Sequence, residues 1–305
     1  MAVMQERKIS DWCEAGYWSS IGDGGVRCEL CPHRCCIAEN DAGICGWRVN
    51  RGGALKASGY GRISSTALDP IEKKPLYMFH PGKHILSIGG YGCNLRCRFC
   101  QNHEISTVDR PAFMEITRKH GAADAGISPD DIVRLAVRTV PEGNIGVAYT
   151  YNEPLINYEF LFDCARLVRG AGLYNVIVTN GYINKEPLLE LLPFIDAMNI
   201  DLKGFTEAFY EKVGGTLEAV KETIEAAQDK CHVEVTTLVI PGENEDDVPE
   251  LSKWLGKINA GVPLHLTRFF PRYRYSGRQP TPVETIYRLR ETAKTHLENV
   301  FAGNV

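Results

Sequence analysis

The sequence predicts an α/β protein: a partial, open (β/α)6 barrel of the TIM type with a small N-terminal cysteine-rich metal-binding module. From about residue 83 onward, short apolar runs rich in β-branched residues alternate six times with helical patterns. Such alternation is typical of βαβ units around a parallel sheet. Six units fall short of the eight that close a complete barrel. A doubly wound open sheet is the alternative, but the glycine fingerprint of dinucleotide-binding sheets is absent after the first strand.

Each element follows from a local pattern. Short apolar, β-branched runs predict strands at 85–88, 145–149, 176–179, 198–202, 233–240 and 264–270. Apolar residues at helical spacing predict helices at 129–140, 155–170, 186–193, 206–229, 245–259 and 282–297. Start signals support the first and last helices, because Ser128 precedes Pro129 and Thr281 precedes Pro282.

Residues 1–82 differ from the rest because they are rich in glycine and cysteine and show little helical periodicity. We therefore divide the chain into an N-terminal module with its connector, residues 1–82, and a barrel domain, residues 83–305. The Arg-Gly-Gly run at 51–53 predicts a tight turn between two short strands at 46–50 and 54–58. A bound metal is expected to stabilise so small a unit.

The composition is typical of an intracellular enzyme. The 305 residues are 44% hydrophobic and have a formal charge of −4, so we do not expect a broad nucleic-acid-binding surface. Most of the 11 cysteines fall in two tight clusters, which favours metal binding in a reducing compartment over disulfides. Residues 1–8 lack the apolar core of a signal peptide, and no apolar run reaches the ~20 residues that span a bilayer. We therefore expect a cytoplasmic protein without membrane contact.

The loop after the first predicted strand contains Cys93, Cys97 and Cys100, with Phe99 before the last cysteine. Three thiolates can hold three irons of a cubane iron–sulfur cluster and leave the fourth iron free for substrate or cofactor. Structural zinc would need a fourth protein ligand, and this loop has no further cysteine.

The C-x3-C-x2-C spacing of this loop resembles the signature of the radical S-adenosylmethionine (SAM) enzymes. The resemblance implies a [4Fe–4S] cluster on the three cysteines, with SAM bound to the fourth iron through its amino and carboxylate groups. It implies that one-electron reduction cleaves SAM to methionine and a 5′-deoxyadenosyl radical, which abstracts hydrogen from a substrate. An electron donor such as flavodoxin or ferredoxin is implied as well.

Polar residues also follow the second predicted strand, where Asn152 and Glu153 precede Pro154. In barrels of parallel strands, functional residues lie in the loops at the carboxyl ends of the strands. The pair stands where the resembled superfamily has a Gly-Gly-Glu-like stretch, which implies contact with the amino group of SAM. Alternatively, the two residues cap the following helix, with Pro154 in its first turn; both roles are compatible.

The next two strand ends carry further polar residues. Thr179 and Asn180 can hydrogen-bond a carboxylate or a ribose and are expected to contact SAM, although a plain strand-to-helix turn explains them almost as well. Asp201 and Lys203 alternate along the fourth strand, which places both on its interior face, where unpaired charges are costly. The similar Asp-Leu-Lys stretch of glycyl-radical activating enzymes implies SAM contact here. The alternative is a structural ion pair.

The N-terminal module holds the second cysteine cluster. Its cysteines can form a tetrahedral all-thiolate site for zinc or for a second iron–sulfur cluster, and the proposed ligands are Cys28, Cys31, Cys35 and Cys45. Cys36 is left over, because adjacent cysteines seldom bind one ion.

Two other segments have unusual composition. Residues 68–82 combine prolines, charges and aromatic residues, and we expect them either to fold over the barrel mouth or to form a solvated connector. Residues 268–275 are basic and aromatic, which suits an acidic or peptide substrate. Single-stranded nucleic acid, which stacks on such residues, is the alternative.

Taken together, these segments resemble the AmmeMemoRadiSam-system radical SAM proteins, a group similar to the pyruvate formate-lyase activating enzymes. The resemblance covers nearly the whole chain. It leaves two enzymatic hypotheses, namely an activase that forms a radical on a partner protein and a direct modification of a small molecule or peptide. A hypothesis of a different class is a non-catalytic iron–sulfur or zinc scaffold that binds a partner.

Overall fold

The computed structural model describes residues 13–119 and 126–305; residues 1–8, considered above for a signal peptide, lie outside the described residues. The strands in these ranges are β1 (Cys13–Glu14), β2 (Trp18–Gly22), β3 (Gly25–Cys28), β4 (Cys36–Ile37), β5 (Arg48–Arg51), β6 (Ala54–Ala57), β7 (Ser65–Pro70), β8 (His84–Gly89), β9 (Asn144–Thr150), β10 (Tyr174–Thr179), β11 (Ala197–Asp201), β12 (His232–Val239), β13 (Leu264–Arg268) and β14 (Val300–Gly303). The α-helices are α1 (His103–Ser106), α2 (Arg110–Lys119), α3 (Pro129–Arg138), α4 (Tyr158–Gly170), α5 (Lys185–Leu191), α6 (Glu207–Val213), α7 (Leu217–Gln228), α8 (Val248–Asn259) and α9 (Val283–Ala293).

Eight strands form one large sheet in the order β14-β13-β12-β11-β10-β9-β8-β7. Strands β8 to β14 are parallel, and β7 pairs antiparallel with β8 at one edge. Within the described ranges the two edge strands do not pair with each other, so this sheet is open. Helices connect most of the successive parallel strands, which confirms the predicted α/β class.

All six predicted strands are present as β8 to β13, but the pattern missed both edge strands. β7 has largely exposed ends and a terminal Pro70, so it lacks an apolar run, and β14 is only four residues long. The single helix predicted at 206–229 is wrong: α6 ends at Val213, because the following Gly214 has a left-handed φ of 80° that stops the helix before α7 begins. Because β7 belongs to the large sheet, this sheet begins before the expected boundary at residue 82.

The two faces of the sheet have different partners. Side chains such as Leu86 and Ile177 belong to the main core, which they share with helix residues such as Leu161. The opposite face packs against residues 71–79 in a smaller apolar cluster, formed by Ile71, Leu76, Ile85, Ala148, Val176 and Ala197 with Phe79 and Ile145 at its edge. The alternation of side chains along each strand produces these two faces.

Glu234 anchors the segment 71–79 to the sheet. Its buried carboxylate accepts hydrogen bonds from the backbone N–H groups of Tyr77 (3.0 Å) and Met78 (2.8 Å). It also hydrogen-bonds the Nε2 atoms of His265 (2.6 Å) and His232 (2.9 Å). Glu234 is the third residue of β12, so the segment packs near the strand starts, away from the cysteine loop. The segment therefore does not fold over the mouth, whereas residues 80–82 at its end are exposed, as expected of a connector.

Replacing Glu234 by glutamine is expected to destabilise the fold and to remove an acid transition. Burial alone would raise the pKa of Glu234, but the two histidines and two N–H groups outweigh burial and lower the pKa to about 2. The resulting stability is present above pH ~4.5 and is lost as the pH falls toward 2, and it amounts to about 3 kcal/mol. Urea unfolding between pH 2 and 7 measures it. Replacing the exposed Glu250 by glutamine serves as the control. If Glu234→Gln lost as much stability as wild type between pH 4.5 and 2, the lowered pKa of Glu234 would be contradicted.

The N-terminal residues form two small antiparallel sheets, β1-β6-β5 and β2-β3-β4. The predicted hairpin is present as β5 and β6, with Gly52 and Gly53 at φ 63° and 70° in its turn. Arg48 fastens this region to α4 through a buried ion pair with Glu159 at 3.0 Å. None of the described helices is long and apolar enough to cross a bilayer.

Candidate active site

The predicted site residues lie at the carboxyl ends of four neighbouring strands. The cysteine loop follows β8, Asn152 and Glu153 follow β9, Thr179 ends β10, and Asp201 ends β11. These strands are consecutive in the sheet, so its parallel order brings together residues that are distant in the sequence. In barrels of parallel strands, functional side chains gather at this edge of the sheet.

The cysteine loop is shaped by a glycine and by hydrogen bonds to sulfur. Gly92 has a left-handed φ of 81°, and a Cβ there would lie 2.3 Å from Trp47 Cδ1. The Sγ atom of Cys93 accepts hydrogen bonds from the Leu95 N–H (3.3 Å) and from the Asn180 Nδ2 group (3.5 Å). Hydrogen bonds to cysteine sulfur tune iron–sulfur clusters, so this loop fits a cluster ligand set.

Burial keeps the thiols of Cys93 and Cys97 protonated. It raises the pKa of Cys97 to about 11, against an opposing effect of the Lys203 ammonium group, and it also raises the pKa of Cys93. Insertion of a metal must therefore displace protons from the thiols. In residues 13–119 and 126–305, no three His, Cys, Asp or Glu side chains converge as ligands of one ion. A cubane does not need such convergence, because each thiolate binds a different iron.

Asn152 holds the cysteine loop in place. Its Oδ1 atom accepts a hydrogen bond from the Gly90 N–H (2.8 Å), and its Nδ2 group donates to the Gly92 carbonyl (3.0 Å). The amide is thus engaged with the loop backbone on both sides. This geometry describes a positioning residue for the three cysteines.

Glu153 is a buried carboxylate with three donors around it. It accepts hydrogen bonds from the Thr179 hydroxyl (2.7 Å), the Asn180 N–H (2.8 Å) and the Leu155 N–H (3.0 Å). Burial outweighs these donors and raises its pKa to about 7. The bond to Leu155 caps the short helical turn that begins at Pro154, as the capping alternative predicted. The same carboxylate joins the ends of β9 and β10.

Asp201 and Lys203 form an ion pair, with Lys203 Nζ at 2.9 Å from Asp201 Oδ2. Burial alone would lower the pKa of Lys203, but the neighbouring Asp201 carboxylate outweighs burial and raises it. The Asp201 side chain keeps 37% of its surface exposed, against 15% for Lys203. A pair that interacts electrostatically with the cysteine loop and retains an accessible carboxylate can bind a polar ligand there.

Three features of this region were not predicted from the sequence. Asn94 is buried and links the loop to β10, because its Oδ1 atom accepts a hydrogen bond from Asn180 Nδ2 at 2.9 Å. Tyr151 has a left-handed φ of 72°, unusual for a residue with a side chain. Its hydroxyl donates to Asp69 (2.7 Å), which also pairs with the buried Lys74 (2.8 Å). Of these features, only Asn94 could have been singled out from the sequence, because it lies inside the cysteine motif.

Cys31 lies close enough to the other proposed ligands to interact with them electrostatically, and Cys36, next to Cys35, is exposed. Burial raises the pKa of Cys31 to about 12, with smaller contributions from the proposed co-ligands Cys28, Cys45 and Cys35. The module touches the cysteine loop directly, because His33 Nε2 lies 2.7 Å from the carbonyl oxygen of Asn94.

Comparison with known proteins identifies the family. Residues 87–255 match the Radical SAM superfamily. The chain is 42% identical over 301 residues to an uncharacterized protein of Methanocaldococcus jannaschii, covering 96% of this chain and 85% of that protein. It is 24% identical over 222 residues to the pyruvate formate-lyase 1-activating enzyme of Escherichia coli K12, covering 65% of this chain and 84% of the enzyme.

A solved structure shares the fold. Streptococcus suis SuiB bound to its precursor peptide SuiA aligns with a TM-score of 0.52 at 13% identity, covering 70% of this chain and 47% of SuiB. The family match spans more than half of the chain and includes the cysteine loop and the four strand ends described above. This protein therefore belongs to the Radical SAM superfamily.

Proposed function

We propose that this protein is a radical SAM enzyme whose [4Fe–4S] cluster is held by Cys93, Cys97 and Cys100. The observation that supports this most strongly is the position of the three-cysteine loop beside the buried Glu153 and the Asp201–Lys203 pair. When bound, the cluster and SAM supply a 5′-deoxyadenosyl radical that abstracts hydrogen from a substrate. The protein's own part is to bind and orient these groups and to exclude water from them.

The six polar residues divide into two roles in this proposal. Asp201 and Lys203 contact SAM, since an accessible carboxylate can accept hydrogen bonds from an ammonium group or from ribose hydroxyls. The other four position the cysteine loop and the strand ends, because their polar atoms already bond to one another or to the loop; they are Asn152, Glu153, Thr179 and Asn180.

The finer architecture is part of the same proposal. The open sheet forms a partial barrel around the cofactor, and the cysteine-rich residues form a separate N-terminal module. Cys28, Cys31, Cys35 and Cys45 bind zinc or a second iron–sulfur cluster there. Reduction by flavodoxin or ferredoxin and the reduced thiols both fit a cytoplasmic enzyme.

We further propose an activase-like reaction on a partner protein or peptide. Residues 71–79 pack against the sheet near the strand starts, so this segment does not close the mouth where the cysteine loop lies. An open mouth suits a polypeptide loop better than a small molecule. The similarity to an enzyme named pyruvate formate-lyase 1-activating enzyme supports the same class of substrate.

A SAM-cleavage assay tests the proposed enzyme. Protein reconstituted anaerobically with iron and sulfide, given SAM and dithionite, is expected to release 5′-deoxyadenosine and methionine in equal amounts. Chromatography with mass spectrometry measures both products. If the reconstituted protein binds a cluster and releases no 5′-deoxyadenosine, the enzyme proposal fails and the scaffold hypothesis is supported.

The Asp201→Asn variant is expected to weaken SAM binding about tenfold, or about 1.4 kcal/mol, because a charged acceptor becomes a neutral amide. Equilibrium dialysis of SAM against the reconstituted protein measures the change. The exposed Asp229, which follows α7, provides the matched Asp229→Asn control. Equal dissociation constants for Asp201→Asn and wild type would remove Asp201 from the SAM site.

A further inference from the structure

Three exposed arginines lie in or beside the cysteine loop, in addition to Arg96, whose guanidinium donates to the carbonyl oxygens of Cys93 and Leu95. Arg98 lies between Cys97 and Cys100, and Arg272 and Arg274 lie in the segment after β13. All three are exposed, whereas the cysteines are half-buried. We call Arg98, Arg272 and Arg274 the arginine surface.

The two segments of the arginine surface are fixed to each other. The backbone N–H of Arg274 donates to the carbonyl oxygen of Arg98 at 3.0 Å. The Tyr273 ring stacks on His103 with 4.5 Å between ring centroids. The guanidinium of Arg274 lies 5.2 Å from the Tyr273 ring centroid, and that of Arg98 lies 5.5 Å from the Tyr275 ring centroid. The charges are therefore presented on an ordered support next to the loop.

Among the described residues, no carboxylate lies within ion-pair distance of these three guanidinium groups. In the described part of the chain, none of the ion pairs involves Arg98, Arg272 or Arg274. The nearby Glu243 is already paired with both Lys212 and Arg278. The surface is thus locally positive on a chain whose formal net charge is −4, and such a patch attracts an acidic partner.

We infer that the arginine surface docks the small acidic one-electron carrier that reduces the cluster; this rests on the proposed function. Since Arg98 lies within the cysteine motif itself, a carrier bound here reaches the cluster edge without crossing the protein core. The step transfers one electron from the reduced carrier to the cluster. The carrier is oxidised by one electron, and no bond or proton changes place.

The surface fits such a carrier better than it fits nucleic acid. Single strands bind by stacking bases on open aromatic faces. Here Tyr273 is stacked on His103, and Tyr275 is buried, with the guanidinium groups of Arg98 and Arg278 over its ring. The aromatic faces are already occupied, which leaves positive charge as the recognition feature.

The test compares two double variants with the same change in net charge. One is Arg272→Glu/Arg274→Glu, which leaves the cysteine motif itself unchanged. The control, Arg138→Glu/Lys257→Glu, alters exposed residues of α3 and α8. Flavodoxin is the acidic carrier used as probe, and dithionite is the small reductant that needs no docking surface. Calorimetry measures the Kd of flavodoxin, and 5′-deoxyadenosine release is measured with each reductant at low and high salt.

We expect the arginine-surface variant to bind flavodoxin at least about tenfold more weakly at low salt, and wild type to lose affinity as salt rises. Its dithionite-driven release should stay within about twofold of wild type, and the control variant should match wild type throughout. The inference is overturned by unchanged flavodoxin affinity, by an equal loss in the control, by loss of dithionite-driven release, or by tighter binding of a single-stranded oligonucleotide. If wild type releases no nucleoside with dithionite, the proposed function fails, while the calorimetry still decides the docking surface.

Discussion

Replacing Cys97 by alanine is expected to abolish 5′-deoxyadenosine release, by more than about 10³-fold, because the three loop thiolates act as one unit. Cys97 is half-buried beside Lys203 and Asp201, and it is the central cysteine of the three in the loop. The iron and sulfide bound per chain should fall by the content of one cluster. Product analysis and metal analysis on the same sample measure both effects.

Cys231→Ala is the matched control for this prediction. Cys231 is also half-buried and has a raised pKa. It lies just before the amino end of β12, however, whereas the cysteine loop follows the carboxyl end of β8. Its replacement should leave both cluster content and nucleoside release unchanged. Wild-type nucleoside release from Cys97→Ala would contradict the assignment of the cluster to this loop.

Replacing Glu153 by alanine is expected to destabilise the protein by about 3–5 kcal/mol. The change leaves three buried donors without an acceptor, and each unsatisfied donor costs about 1–3 kcal/mol; they are the Thr179 hydroxyl, the Asn180 N–H and the Leu155 N–H. Urea unfolding of protein before reconstitution measures the loss. Glu222→Ala, on the exposed face of α7, should change stability by less than about 0.5 kcal/mol.

Glu153 should also make the free energy of unfolding depend on pH. Its pKa is raised from 4.5 to about 7, so the folded state holds a proton that the unfolded state has already released. The stability from this group is fully present below pH 4.5 and is lost as the pH rises through 7, by about 3 kcal/mol. Glu153→Gln should remove this slope, since glutamine does not titrate. An identical slope in wild type and Glu153→Gln would contradict the raised pKa.

Much of the fold could be predicted because its signals are local. Each strand from β8 to β13 is an apolar run, and the alternation of Asp201 and Lys203 predicted that the two charges share one side, where they form an ion pair at the end of β11. β7 could not be found in this way. Half of its residues are exposed and only one is buried, and its position depends on pairing with β8 rather than on its own composition.

The contacts that organise the site were beyond sequence patterns because they join distant residues. The spacing of the cysteines identified the loop, but nothing local shows that Asn152 braces Gly90 or that Tyr151 reaches Asp69. Glu153 was expected to contact SAM. In the structure its carboxylate accepts hydrogen bonds from residues at the end of β10 and from its own helical turn. Only the packing of neighbouring strands could reveal these contacts.

The most direct test of the central claim isolates the cysteine loop from the N-terminal cysteines. A Cys28→Ala/Cys31→Ala variant, reconstituted and reduced without oxygen, is examined by electron paramagnetic resonance before and after addition of SAM. We expect the signal of a reduced [4Fe–4S] cluster that changes when SAM is added, because the loop holds a cluster with one open iron site. A folded variant with no cluster signal, or a cluster signal unaffected by SAM, would contradict the account.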